Sequence, residues 1–68
     1  MKRDFKFIFN EILKDQNITQ KQCAKILGTS QSTISKWLSG AQEPRFFQLQ
    51  NIALEFNLDA NYLLGLVD

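Results

Sequence analysis

A chain of 68 residues has room for one small domain, and a fold of this size buries only about 60% of the surface that its unfolded chain exposes, so its core must be efficient. A hydrophobic content of 44% with eight aromatic residues excludes a disordered chain, and no run approaches the roughly 20 apolar residues that span a bilayer. The net charge of +1 hides an asymmetry: residues 1–42 hold seven Lys/Arg against three Asp/Glu, a net +4, whereas residues 43–68 hold one against four, a net −3. From Gln16 to Gln42 there is no acidic residue, only Lys21, Lys25 and Lys36, which makes this the segment where a polyanion is best tolerated. With no histidine, no Gly-rich phosphate loop and no clustered carboxylates, acid–base and metal chemistry have few candidates. The chain is not expected to be an enzyme, and no catalytic residue, metal or cofactor is expected.

Taken in chain order, Asp4 is placed to cap a first helix in which Phe5, Ile8, Phe9, Ile12 and Leu13 form one stripe at about 100° per residue. Phe7 points to the opposite side, and Asn17 ends the helix. Thr19 and Gln22 then fit a capping box, with Ile18 and Cys23 spaced as a hydrophobic staple, so a second helix is predicted from Gln20. Gly28 follows Leu27 where a left-handed residue ends a helix. Only two residues later Ser30 can cap a third helix, running from Gln31 to about Ser39, with Gly40 as its stop. Two short helices joined by so tight a turn must cross steeply. Pro44 suits the first turn of a fourth helix with the core stripe Phe46, Leu49, Ile52, Ala53 and Phe56. Asp59 caps a short fifth helix, Leu58 and Leu63 fit a second staple, and Gly65 marks its end. The expected fold is all-α, five helices in a single domain over residues 1–68.

Ala24 and Gly28 are the small residues that a steep helix crossing needs. On the third helix Ile34, Trp37 and Leu38 fall on one face, which leaves Ser32, Thr33, Ser35, Lys36 and Ser39 opposite them and Gln31 projecting from the first turn. Such a low polar profile fits the roughly 12 Å major groove of DNA, where base edges carry a distinguishable pattern. Gln31 is suited to adenine, Lys36 to guanine, and the Thr33 methyl to a thymine methyl. The competing reading of these side chains is a solvated helix face. The apolar opposite face, the Gly28 turn and the acid-free segment favour DNA.

The stretch TQKQCAKILGTSQSTISKWLSG from Thr19 to Gly40 resembles the helix-turn-helix of phage repressors and Cro proteins, the XRE-like type, and the likeness continues through Pro44 and the ending NLDANYLLGL. It implies a compact five-helix domain, with the helix-turn-helix over about residues 19–39, that binds double-stranded operator DNA as a two-fold homodimer and represses transcription. In that family Gln31, Ser32 and Lys36 correspond to base-reading positions, to which the helix face adds Thr33. Gln20, Ser39, Gln42 and Arg45 correspond to positions at the DNA backbone, where amides at a helix start make good phosphate ligands, and Ser35 on the same outward face is expected to join them. Several phage repressors carry an Arg and Glu pair where this chain has Leu13 and Leu38, which are expected to pack together; replacing a buried ion pair in this way is often neutral or stabilising.

Cys23 has no second cysteine and falls on the inward side of its helix, so it is read as core rather than as a redox sensor. Trp37 is read as core rather than as a stacking platform. Phe47 and Leu54 lie together on the outer side of the fourth helix. With Phe46, Tyr62, Leu66 and Val67 near them, they form a surface for a dimer, a second domain or a protein partner, in the manner of an antitoxin or corepressor; the competing readings are partly exposed apolar residues or a seat for the C-terminal tail. A lone cysteine and a start without a long apolar run point to a reducing cytoplasm, and the resemblance implies that of a bacterial or phage-type system.

Overall fold

The computed structural model describes residues 4–63. Five helices follow one another: α1 (Phe5–Gln16), α2 (Gln20–Leu27), α3 (Gln31–Ser39), α4 (Phe46–Phe56) and α5 (Ala60–Leu63). No strand occurs among the described residues. The helix α3 packs against α1 and α2, α4 bridges α2 and α5, and α5 returns to α1.

The core follows from the α1 stripe. Phe5, Ile8, Phe9, Ile12 and Leu13 are all buried and meet Cys23 and Ala24 of α2, Ile34 and Trp37 of α3, Ile52 of α4 and Leu63 of α5. Leu38 is packed against the same cluster that holds Leu13. Three aromatic rings meet within it: Phe5 stacks on Phe9 at 5.2 Å, and Trp37 meets both edge-on, at 6.4 and 5.7 Å between centroids. This offset and T-shaped geometry is the one that ring quadrupoles favour.

The helix ends were largely written into the sequence. Asn17, Gly28 and Asn57 close α1, α2 and α4 in the left-handed conformation. In each case the next residue's N–H reaches back five residues, from Ile18 to Leu13 O, from Thr29 to Ala24 O and from Leu58 to Ala53 O, at 2.8–3.1 Å. That closure satisfies carbonyls the helix itself leaves unpaired. Ile18 and Leu58 then fold onto the core. At the start of α5, Asp59 Oδ1 accepts from the Asn61 N–H at 2.7 Å.

Three expectations are corrected. Asp4 occupies the cap position of α1 without a side-chain bond, and its carbonyl alone accepts the first N–H groups, from Phe7 and Ile8. Pro44 lies outside α4, because Gln48 Oε1 accepts the Arg45 N–H at 2.7 Å and so fixes Arg45 as the cap. A guanidinium has no lone pair to return that bond, so the cap is one-sided. Phe46 is 69% exposed and does not join the core stripe. Helical side chains lean toward the N-terminus, and Phe46, first in its helix, leans past the end of α4. Gly65 lies outside the described residues.

Cys23 is fully buried, and burial pushes its thiol up from 9.0 to about 11. A thiol held protonated in the folded chain but free to ionise in the unfolded one supports folding fully below pH 9, and that support is lost as pH rises toward 11. Urea titrations of the wild type and Cys23→Ala should therefore differ by a constant amount up to about pH 9 and converge above it. A difference that stays constant to pH 11 would contradict this burial effect.

Candidate nucleic-acid interface

The helix-turn-helix is assembled from two well-capped short helices. Thr19 Oγ1 accepts the Gln22 N–H at 3.1 Å, and Gln22 Oε1 accepts the Thr19 N–H at 2.8 Å, completing the reciprocal box at the start of α2. Gly28 turns the chain with φ of 69°. No atom stands within 4 Å of where a Cβ would sit, so the demand for glycine there comes from the backbone conformation alone. Ser30 Oγ then accepts the Thr33 N–H at 3.1 Å to start α3. Acidic residues, which usually favour a helix start, are absent from the first turns of α2 and α3. The same holds for the first turns of the other helices; at α2 and α3 no first-turn carboxylate opposes the partial positive charge of the helix end.

The face of α3 away from the core carries Gln31, Ser32, Ser35, Lys36 and Ser39, all exposed. Ile34 and Trp37, the latter 2% exposed, hold the other face in the core. Thr33 is half-buried and its hydroxyl is 3.0 Å from Ser30 Oγ, so its polar atom is engaged in the cap. Gln20, first in α2, is half-buried, whereas Gln42 and Arg45, between α3 and α4, are exposed. The Ser39 hydroxyl donates to Lys36 O at 3.1 Å and accepts from the Ala41 N–H at 3.3 Å, closing the end of α3.

Two carboxamides that sequence reasoning missed fix this unit in place. Asn51 of α4 donates to the carbonyl of Leu27, the last residue of α2, at 3.2 Å. Asn10 of α1 donates to Leu38 O near the end of α3 at 3.3 Å and to Lys6 O at 2.7 Å. Each satisfies a carbonyl orphaned by a helix end. Their only sequence signal is a place on the flank of an apolar stripe, which does not name the partner.

On the outer side of α4, Phe47 and Leu54 are 65% and 80% exposed, next to Phe46. Tyr62 is half-buried, with its hydroxyl donating to Glu11 Oε2 at 3.3 Å, so it ties α5 to α1. Leu66 and Val67 lie outside the described residues. Among the described residues no helix is long and apolar enough to cross a membrane.

Two short helices packed together across a tight turn, the second with one face in the core and the other polar and exposed, are the architecture of a helix-turn-helix DNA-binding domain. A family described as helix-turn-helix matches residues 10–63, and the chain belongs to it, in the phage-repressor or XRE type of DNA-binding transcription regulators. No curated protein and no solved structure matches the chain.

Removing the Asn51 carboxamide should leave Leu27 O unpaired in a partly buried place. Asn51→Ala is expected to destabilise the fold by about 1 kcal/mol, read from chemical denaturation. Asn51→Asp, which sets a carboxylate against a carbonyl, should cost more. Equal stability of all three proteins would show that the bond does not support the turn.

Proposed function

We propose that this domain, taken as residues 1–68, is a repressor that occupies an inverted-repeat operator and blocks transcription in a bacterial or phage-type cytoplasm, without catalytic activity of its own. The observation that carries this reading is the α3 face of Gln31, Ser32, Ser35 and Lys36, short or flexible polar groups exposed opposite a buried Trp37. Inserted in the major groove, Gln31 pairs with adenine, Lys36 reaches guanine, and Ser32 and Thr33 contact neighbouring base edges. Gln20, Ser35, Ser39, Gln42 and Arg45 hold the sugar–phosphate backbone and set the register. A mobility-shift titration against selected and random duplexes tests this: binding should fall with added salt. Gln31→Ala should lose about 1–3 kcal/mol of discrimination at a single base position, while Gln20→Ala should weaken all sequences alike. Absence of salt-sensitive binding to every duplex would sink the proposal.

Two copies would read two half-sites about 34 Å apart, one turn of B-DNA. The molecule measures 30 × 24 × 23 Å, a size that lets two copies stand side by side on such half-sites. Phe47 and Leu54 supply an apolar surface for the second copy, with Tyr62 and Leu66 as further candidates. Leu54→Lys should leave the helical content and binding to a single half-site intact while lowering cooperative occupancy of the inverted repeat, measured by footprinting. The exposed Phe46, Phe47 and Leu54 also suit the second reading, a protein-interaction module of antitoxin or corepressor type. Unchanged cooperativity in Leu54→Lys, with a stoichiometric protein partner lost in its place, would favour that alternative.

A further inference from the structure

Lys6 stands apart from the other described lysines. Lys14, Lys21, Lys25 and Lys36 are exposed, whereas Lys6 is half-buried. Its stem lies flat against Gly40, the residue that ends α3: a Cβ built on Gly40 would come within 2.8 Å of Lys6 Cδ and 3.5 Å of Nζ. The ammonium also sits 5.2 Å from the centroid of the Phe7 ring. One turn along α1, Asn10 joins Lys6 O to Leu38 O, so the first turn of α1 is fastened to the exit of α3. A flexible surface lysine has become a cation at a defined place.

That place is at the opposite end of α3 from Gln31. Nine residues of α3 at 1.5 Å each make a rod of about 13 Å, close to the roughly 12 Å width of the major groove. In this class of domain the N-terminal residues of the recognition helix meet base edges. A helix of that length therefore brings its far end to the flanking phosphates. From Ser39 to Arg45 the chain contributes one acid, Glu43, and one base, Arg45. The last turn of α3 holds Lys36, which the proposed reading places on a base, so Lys6 from α1 is a further cation at this exit.

We infer that Lys6 is a phosphate-binding residue of the DNA interface, contacting the backbone where it passes the C-terminal end of α3; the inference rests on the DNA-binding reading above. Lys6 also lies where a cation opposes the negative end of the α3 dipole, so the test must separate binding from folding. Lys6→Met keeps an apolar stem against Gly40 and removes the charge, and Lys6→Arg keeps the charge. Binding constants would be measured for the full chain on a selected duplex and on a random one between 50 and 200 mM KCl, with thermal melts in parallel.

Lys6→Met should reduce the slope of log K against log salt by about 0.9 and weaken both duplexes by the same factor, about five- to tenfold at 0.1 M salt. Lys6→Arg should keep the wild-type slope. A Lys6→Met protein that binds with the wild-type slope, whether or not its melting temperature falls, overturns the assignment and leaves Lys6 as a helix-end contact. A loss confined to one base position overturns it as well. Wild-type protein without salt-dependent binding to any duplex defeats the DNA reading itself, an outcome distinct from an unchanged slope.

Discussion

The placement of α3 depends on the seat of Trp37 against the stacked rings of Phe5 and Phe9. A nine-residue helix is too short to persist alone in water, so its stability comes from what it packs against. The indole edge on two stacked rings contributes about 0.5–1.5 kcal/mol per aromatic pair beyond the area it buries. Ile34, fully buried one turn earlier, stops α3 from rolling about its axis. With that roll fixed, the residues 180° away are fixed as well, and the polar face can consist of side chains chosen for a ligand rather than for stability.

Polar bonds complete what packing begins, and they divide by face. The carbonyl ends of α2 and α3 are tied by Asn51 and Asn10 from neighbouring helices, the first bond part-buried and the second exposed. Their N-terminal ends are capped locally by Thr19, Gln22 and Ser30, which uses few side chains and adds no negative charge. The helix-turn-helix is therefore anchored at its carbonyl ends to α1 and α4, while its amide ends stay uncluttered. A turn held this way can present two helix N-termini to a polyanion without a countervailing carboxylate.

Much of this was legible in the sequence because it is local. The α1 stripe, the Thr19–Gln22 box, the Ser30 cap and the left-handed stops at Asn17, Gly28 and Gly40 each depend on residues within five positions of one another. Errors arose where two local signals competed. Proline favours a first turn, but Gln48 binds the Arg45 N–H and moves the start of α4 beyond Pro44, and the shifted start sends Phe46 into solvent. What no local rule supplies is the partner of a polar side chain across 24 or more residues, as for Asn51 with Leu27, Asn10 with Leu38 and Lys6 with Gly40. The packing of α4 on α2 and of α1 on α3 brings those pairs together, and sequence alone indicates the helices without these contacts.

The proposed base-reading set is small, and the structure narrows its chemistry. Thr33 has its hydroxyl engaged on Ser30, so a thymine methyl is the contact that costs it nothing. Ser32 is short. Only Gln31 offers a bidentate amide and only Lys36 a charge, and each such pairing discriminates by about 1–3 kcal/mol. Specific and non-specific binding by domains of this kind differ by about 4–10 kcal/mol, more than one copy of α3 can comfortably provide. On the proposed reading, the remainder has to come from a second half-site and from the shape and stiffness of the DNA between them. That requirement makes the spacing between copies, and hence whatever covers Phe47 and Leu54, part of the specificity of the site rather than an accessory to it.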